Sequence, residues 1–328
     1  MGKVKEKKRL IHRTNFLVAF TAAALVIIFL GRWIFAITNG YYDTFIKYGA
    51  SVEDAMSNAL GLTLTDEEAL ANLTYEKDWD YFTSSRLCDE LYTESDGFDL
   101  HANYYDNGSD ITVIYLHRFS EDGSSDFLAG STLYDMYGCN ILLPDSRCHG
   151  ESEGEAVSYG YLEAEDLKAW ISYMNETYGE KEYIIWGEGL GANTALFAEA
   201  KGYLSEDVKY IVAESTYPTI VTVAKRQMYK WFTVPAFPAL NFMKMKLGGD
   251  GLGFSTDDMN LISALEEGSS DVPVVFLQSE GDEYIISDWS SEVYNAYEGE
   301  KCIVVGTGSH GTVFAEKYDD VVAALGGM

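Results

Sequence analysis

Short apolar runs alternate with amphipathic helical patterns over residues 86–328. The later runs are almost continuously apolar, as expected for strands that are covered on both faces. Alternation of strands with helices predicts a mostly parallel sheet with helices on both sides. We therefore expect one α/β domain over 86–328. Its predicted strands are 90–93, 99–105, 111–117, 140–144, 183–186, 209–213, 272–277 and 302–305, and its predicted helices are 127–137, 162–178, 192–200, 288–296 and 312–325.

A long apolar segment precedes this domain. Residues 16–37 carry one charge, Arg32, and a bilayer core needs about 20 apolar residues. The segment can therefore span a membrane if the Arg32 side chain extends to the surface beside Trp33. We predict a transmembrane anchor over 16–37.

Basic residues set the expected orientation of this anchor. Six of the 23 Lys and Arg residues lie in residues 1–15, which the positive-inside rule places in the cytoplasm. The domain is then extracellular, on a single-pass protein of the cell membrane. A cleaved secretory signal has the same basic start and apolar middle. We favour the uncleaved anchor because Ala36-Ile37-Thr38 is a poor cleavage site.

Residues 38–85 are polar, acidic and aromatic, with helical patterns at 52–59 and 66–72. We interpret them as a helical arm that connects the anchor to the domain.

The charge of the body excludes one class of partner. The net charge is −29, and only 16 basic residues follow Arg32, against 51 acidic ones. Nucleic-acid binding rests on neutralising phosphates with basic residues, so we expect none. Hydrophobic residues make up 47% of the chain, which is enough for a sizeable core and argues against disorder.

The four cysteines show no metal-type spacing, and we expect neither a metal nor a cofactor. They fall in or beside predicted strands, where buried free thiols are the favoured interpretation. A disulfide remains an alternative for an extracellular domain, although the sequence does not pair them. These residues are Cys88, Cys139, Cys148 and Cys302.

The most informative motif is G-E-G-L-G over residues 187–191, between a predicted strand and a predicted helix. A sharp turn from strand to helix is the setting of a nucleophile elbow, G-x-S-x-G, whose central residue is serine. Gly189 occupies that position here.

Together with other motifs, this segment resembles the α/β-hydrolase superfamily, in particular bacterial membrane-anchored esterase- or peptidase-like proteins. The resemblance covers about residues 78–325. It rests on His117-Arg118-Phe119, which ends the third strand. It also rests on residues 144–154, which match D-x-R-G-H-G-x-S-x-G except at Cys148, and on Gly160, Glu163 and Asp166 at the start of the following helix. It also rests on Ser279-Glu280-Gly281-Asp282 and Gly308-Ser309-His310-Gly311, which follow later strands.

The resemblance implies an eight-stranded α/β-hydrolase fold and assigns site roles. Asp282 is the expected acid and His310 the expected base, while Gly189 stands where the nucleophile belongs. The N–H of Leu190 is one expected oxyanion donor, and the backbone at Arg118 and Phe119 contributes to the same hole. Arg118 stands where the family usually has glycine, so we expect its side chain to line the mouth of the site.

Glycine cannot form an acyl-enzyme, because it has neither a hydroxyl nor a thiol group. Loss of one triad member costs about 10⁴- to 10⁶-fold in turnover. We therefore expect a catalytically degenerate protein. The alternatives are a relocated nucleophile, at Ser120, Thr194 or Cys148, and water activated by His310 and Asp282.

A helical cap is expected over about residues 218–254, between the sixth strand and the strand of the acid. It is rich in aromatic and basic residues. It could bind an acyl chain or a membrane surface. We favour a cap that packs its aromatic face on the domain and leaves its lysines in water.

Three functions follow from these observations. The favoured one is a degenerate hydrolase that binds an acyl, ester or peptide ligand, or a protein partner, outside the membrane. The second is an active esterase or peptidase. The third is a membrane-anchored interaction module whose pocket plays no part.

Overall fold

Eight β-strands form one sheet in the computed structural model. The model describes residues 20–21, 23–36, 38–40, 42–47, 79–119, 121–124, 127–179, 181–232, 236–249 and 251–326. All eight predicted strands are present, each within a few residues of its expected bounds. They are β1 (Asp89–Ser95), β2 (Phe98–Tyr105), β3 (Ile111–Leu116), β4 (Asn140–Pro144), β5 (Glu182–Glu188), β6 (Val208–Glu214), β7 (Val274–Ser279) and β8 (Lys301–Gly306).

The strand order is β1-β2-β4-β3-β5-β6-β7-β8. The pairs β1–β2 and β2–β4 are antiparallel, and the pairs from β4 to β8 are parallel. Because Leu116 pairs with Gly187 and Gly187 with Ala213, the carboxyl ends of β3, β5 and β6 meet at one edge. This is the edge at which parallel sheets bind ligands.

Helices cover both faces of this sheet. They are α1 (Gly130–Tyr137), α2 (Glu163–Tyr178), α3 (Leu190–Ala200), α4 (Ile220–Phe232), α5 (Ala236–Gly249), α6 (Leu261–Glu267), α7 (Ser287–Ala296), α8 (Val313–Glu316) and α9 (Tyr318–Ala324). A short helix over 79–85 precedes β1. The fold is therefore an α/β-hydrolase fold, as predicted.

The last predicted helix, 312–325, is divided into α8 and α9. Lys317 lies between them with φ −123° and ψ 34°, which is not helical. The hydrophobic pattern runs through this residue, so the pattern alone predicted one helix. Helix α6 was not predicted; its N-cap Asn260 accepts a hydrogen bond from the Ser263 N–H.

Alternate side chains of β5 enter different cores. Tyr183 and Ile185 belong to one hydrophobic cluster, which packs against α2 and α3. Ile184 and Trp186 belong to a second cluster on the opposite face of the sheet. Since successive strand residues point to opposite faces, burial of both sets explains the continuous apolar run.

One helix is long and apolar enough to cross a membrane, Ala23–Gly40, within the described part of the chain. Its length and composition suit a membrane span or a secretory signal. A π-helical turn, Asp43–Lys47, follows it. The helical patterns expected at 52–59 and 66–72 lie outside the described residues.

The residues that follow this apolar helix pack on the domain. Tyr42 and Ile46 are 0% and 2% exposed, and they share a third hydrophobic cluster with Leu190 and with the cap residues Leu240 and Met243. The Val157 N–H donates a 2.8 Å hydrogen bond to the Ile46 carbonyl. This third cluster therefore joins the residues after the apolar helix to the cap and to the start of α3.

Candidate active site

Gly189 lies at the turn between β5 and α3. Its φ of 53° and ψ of −104° belong to a region that side-chain-bearing residues rarely adopt. The Gly189 N–H donates to the Glu214 carbonyl at 2.9 Å, and its carbonyl accepts from the Asn193 N–H at 3.1 Å. The first bond ties the turn to the end of β6, and the second ties it to the first turn of α3.

The turn is tight because Gly191 lies against strand β3. A Cβ atom at Gly191 would clash with the Leu116 carbonyl. At Gly189, by contrast, a Cβ atom would meet no described atom within 4 Å. The space above residue 189 could therefore accept a serine side chain, at the cost of its backbone strain.

Asp282 and His310 form a hydrogen-bonded pair. Asp282 follows β7 and His310 follows β8, which pair in parallel, so both residues leave the sheet at the same edge. His310 Nδ1 lies 2.6 Å from Asp282 Oδ2. The two motifs thus meet as the resemblance implied, and their catalytic roles stay predictions.

The Asp282 carboxylate is held by four groups. Its Oδ1 accepts from the N–H groups of Tyr284 and Ile285, at 2.8 and 2.9 Å. Its Oδ2 accepts from His310 and from Ser215 Oγ, the latter at 3.0 Å. Burial opposes ionisation, but the charge and hydrogen bond of His310, with the two backbone N–H groups, outweigh it and lower the pKa of Asp282.

An ionised Asp282 orients its partner, His310. It fixes the Nδ1–H tautomer of His310 and leaves Nε2 available as a base. The His310 side chain is 18% exposed, and the Tyr284 ring packs edge-on against it at 5.8 Å. The pair could therefore take a proton from a serine at residue 189 or from a water molecule.

The expected oxyanion donors lie around the turn. Leu190 is the first residue of α3, where backbone N–H groups have no partner within the helix. Phe119 stacks on Tyr159, with 5.4 Å between ring centroids. The backbone at Arg118 is fixed by His117, because Nε2 of His117 accepts from the Ser146 N–H, so that Nδ1 must donate to the Arg118 carbonyl.

The Arg118 side chain runs along the histidine loop. Its Nε lies 3.9 Å from Glu188 Oε2. A Cβ built on Gly311 would lie 3.1 Å from Arg118 Nη1 and 3.4 Å from Glu188 Oε2, so both groups contact the residue that follows His310. The Arg118 side chain is 23% exposed, so it lies along the histidine loop instead of projecting into solvent.

Two buried carboxyl groups beneath the turn were missed by the sequence reasoning. Glu188 and Glu214 are 3% and 1% exposed. Burial raises the pKa of Glu188 to about 7 against the opposing charge of Arg118. Burial and the charge of Glu188 raise the pKa of Glu214 to about 8.

Glu214 is tied to the histidine loop. Its Oε1 accepts from the Val313 N–H at 3.1 Å, three residues past His310. Its Oε2 has no hydrogen-bond partner among the described residues. The sequence did contain a signal for Glu188 and Glu214, because both lie at the carboxyl ends of predicted strands, β5 and β6, beside the elbow motif.

The motif over residues 144–154 has a structural role in this chain. Asp145 accepts from the Gly123 N–H at 2.8 Å and lies 2.8 Å from His101 Nδ1. Arg147 forms two hydrogen bonds with Asp166, at 2.7 and 2.6 Å, and both side chains are buried. These contacts anchor the loop after β4 to the start of α2.

The candidate relocated nucleophiles are placed differently. Thr194 Oγ1 donates to the Leu190 carbonyl at 2.9 Å and is buried inside α3. Burial raises the pKa of the Cys148 thiol to about 12, which disfavours the nucleophilic thiolate. Ser120 lies outside the described residues.

The four cysteines differ in their exposure. All four cysteines are free, but only Cys139 is buried, which contradicts the expectation of buried thiols. Cys88 and Cys148 are half-buried, and Cys302 is exposed on β8, the last strand of the sheet. The described residues contain no group of three or more His, Cys, Asp or Glu side chains placed to hold a metal ion.

Comparisons with known proteins support the fold. No family model matches the chain. The chain is 28% identical over 178 residues to the uncharacterized protein YqkD of Bacillus subtilis (strain 168), a match that covers 53% of this chain and 56% of that protein. The chain thus spans little more than half of that relative.

Solved structures match over a larger share of the chain. The esterase Pf2001 of Pyrococcus furiosus has a TM-score of 0.59 at 20% identity, covering 75% of this chain and 91% of that one. The alpha/beta hydrolase GrgF from Penicillium sp. sh18 has a TM-score of 0.53 at 16% identity, covering 73% and 96%. At these identities the likeness shows a shared α/β-hydrolase fold.

Proposed function

We propose that this chain is a membrane-anchored α/β-hydrolase-fold protein that has lost covalent ester hydrolysis and uses its site to bind a ligand or a protein partner. One observation carries the proposal. Gly189 stands at the elbow with a positive φ and no side chain, while the acid and base positions, Asp282 and His310, remain hydrogen-bonded. The site has an orienter and a base but no side-chain nucleophile at the elbow for that base to deprotonate.

The ligand classes follow from what surrounds the turn. Backbone N–H groups at the start of α3 suit a carbonyl or carboxylate oxygen. Apolar side chains of the third cluster, including Leu190, Ile220 and Ile285, suit an acyl chain or an apolar peptide side chain. We therefore expect an acyl, ester or peptide ligand to be held without being cleaved.

The decisive experiment restores the missing hydroxyl. Wild type, Gly189→Ser and Gly189→Ala are compared for p-nitrophenyl ester turnover and for labelling by a fluorophosphonate. Gly189→Ala is the matched control, because it has the same Cβ and the same backbone strain without the oxygen. We expect turnover and labelling in Gly189→Ser alone, with a gain on the order of 10³-fold or more, lost again when His310→Ala is added.

A second function is favoured by the retained Asp282–His310 pair, namely hydrolysis by water that His310 activates. It predicts ester turnover in the wild type that His310→Ala abolishes, with no fluorophosphonate labelling. Wild-type turnover equal to that of Gly189→Ser and dependent on His310 would refute the loss of activity.

The proposed topology is a single span over 16–37 with a cytoplasmic N-terminus and an extracellular domain. Cys302 provides the test, because its side chain is exposed. A membrane-impermeant maleimide should label the wild-type chain more strongly than Cys302→Ser in intact cells. Labelling of Cys302 only after lysis would contradict the orientation, and release of a shortened chain would favour a cleaved signal.

A further inference from the structure

The cap differs in charge from the rest of the chain. Residues 218–249, which make up most of the cap, contain five basic residues and no acidic residue, in a protein whose net charge is −29. An anionic lipid surface attracts clusters of this kind, whereas the remainder of the body is repelled by it. The basic residues are Lys225, Arg226, Lys230, Lys244 and Lys246.

Helix α5 within this cap has an apolar outer face as well as an apolar inner face. Its inner face is formed by Leu240, Met243 and Leu247, which are 5%, 6% and 2% exposed. On its outer face, Phe242 and Met245 are 44% and 68% exposed. A helix in water normally has a polar outer face, so these apolar groups indicate a partner.

Phe237, near the start of α5, extends this apolar surface. It is 72% exposed, and its φ of −87° and ψ of 133° break the helix. Over the described residues between 79 and 326, eight large apolar side chains are exposed, and three of them lie within the nine residues from Phe237 to Met245. This concentration on one helix is unlike the scattered exposure that is normal for a protein surface.

The opposite end of α5 is joined to the apolar N-terminal helix. Lys246 Nζ donates to Asn39 Oδ1 at 3.1 Å and to Asp43 Oδ1 at 3.2 Å. It also lies 4.2 Å from the centre of the buried Tyr42 ring. These contacts fix α5 at the residues where the helix Ala23–Gly40 ends.

This junction determines what the outer face of α5 meets. If Ala23–Gly40 spans a bilayer, its end lies at the lipid–water interface. Lys246 then holds α5 at that depth, so that Phe242, Met245 and Phe237 lie beside lipid headgroups. Lys244 is exposed as well and can reach a phosphate beside this apolar face, as is typical of interfacial helices.

We propose that the outer face of α5 binds the surface of the bilayer that holds the N-terminal helix, with anionic phospholipid headgroups as the partner. This inference rests on the membrane anchor of the proposed function. The inner face of α5 belongs to the third cluster, which includes Leu190, so α5 also covers the candidate site. A ligand that enters beneath α5 therefore comes from the lipid interface.

Spin-label accessibility tests this proposal on the full-length chain in nanodiscs of equal parts phosphatidylglycerol and phosphatidylcholine. Labels are placed by Phe242→Cys or Met245→Cys in a background carrying Cys302→Ser and Cys88→Ser. Met136→Cys is the matched control, because Met136 is an apolar residue of α1 that is 70% exposed. We expect labels at 242 and 245 to show a severalfold higher ratio of oxygen to nickel-chelate accessibility than the label at 136.

A label at Ile28→Cys separates the two proposals. Ile28 lies in the apolar helix and is 58% exposed to its surroundings. Lipid exposure at 28 with water exposure at 242 and 245 would overturn membrane binding by α5 and leave the anchor intact. Water exposure at 28 would overturn the anchor itself, and with it this inference.

Lipid composition and label pairing identify the partner. We expect severalfold weaker immersion of the label at 242 in pure phosphatidylcholine, and equal immersion in both lipids would overturn the anionic partner. Dipolar broadening between labels at 242, with loss of both oxygen and nickel-chelate accessibility, would indicate a second copy of the chain on this face. That result would overturn the assignment to lipid.

Discussion

The stability of the wild-type domain should fall as the pH rises, and replacement of Glu214 by glutamine should abolish this fall. The Glu214 side chain is 1% exposed, and its pKa in the folded state is raised from the ordinary 4.5 to about 8 by burial and by the charge of Glu188. The folded state therefore holds a proton that the unfolded state releases. Since the folded state binds more protons between these two pKa values, stability falls as the pH rises from about 4.5 to about 8.

The size of this effect follows from the shift. Each pKa unit corresponds to about 1.4 kcal/mol, so the interval between about pH 5 and about pH 8 costs about 4 kcal/mol at this one residue. For a domain of this size, 1 kcal/mol changes Tm by roughly 2–4 °C. The wild-type Tm should therefore fall by about 10 °C relative to that of Glu214→Gln over this interval.

The glutamine variant isolates this residue because it keeps the shape of the protonated carboxyl group. The amide oxygen can still accept from the Val313 N–H, and the amide group does not ionise. Thermal unfolding in detergent micelles, followed at several pH values, gives the two profiles. Glu266→Gln, at an exposed position of α6, is the control and should keep the wild-type slope.

A Glu214→Gln variant that retains the wild-type dependence of Tm on pH would refute the raised pKa of Glu214. A variant that loses part of the slope, with the remainder removed by adding Glu188→Gln, would show that the two carboxyl groups share the titration. That outcome agrees with the burial of Glu188 and with the raising of its pKa to about 7.

Three further predictions concern the scaffold. Arg147→Met leaves Asp166 buried without its cation and should lower the free energy of unfolding by about 3–5 kcal/mol. The additional change Asp166→Leu should recover most of that loss, and denaturant titrations measure both values. Gly191→Ala should abolish soluble expression or shift the unfolding midpoint strongly, because its methyl group would overlap the Leu116 carbonyl; a midpoint equal to wild type would contradict the close approach. Gly189→Ala meets open space and should cost only about 1–3 kcal/mol from its positive φ, so unfolding midpoints should rank Gly191→Ala well below Gly189→Ala.

Gly189 also bears on the rigidity of this site. Glycine has no nucleophilic group and avoids the strain that serine would carry at a φ of 53°. Asp282 nevertheless keeps four hydrogen-bond donors around its carboxylate. A site that keeps its buried polar groups satisfied remains rigid, which suits binding without turnover.

Periodicity was sufficient to predict the sheet of this protein. Each of the eight strands is a short apolar or alternating run. In parallel strands that are covered on both faces, burial of every side chain produces the continuous apolar run. The elbow could be predicted for a similar reason, since only glycine permits the approach of Gly191 to the Leu116 carbonyl. The order of motifs along the chain also predicted that Asp282 and His310 follow neighbouring parallel strands.

Local sequence did not predict where the last helix divides or where Arg118 points. Lys317 interrupts the helical pattern without changing its hydrophobic period, because the break is in its backbone angles. The Arg118 guanidinium lies along the histidine loop because Glu188 is buried beside it, and that burial depends on strands distant in sequence.

What the sequence by itself determined about this protein is the eight strands, their order along the chain and the absence of a nucleophile at residue 189, because these depend on residue type and spacing along one chain. Only the tertiary structure decided the raised pKa values of Glu188 and Glu214, the bond from Ser215 to Asp282 and the attachment of Lys246 to the residues at the end of the apolar helix. Burial and charge proximity depend on segments that are tens to hundreds of residues apart, and their effect on a pKa or an ion pair arises when folding removes water from between them.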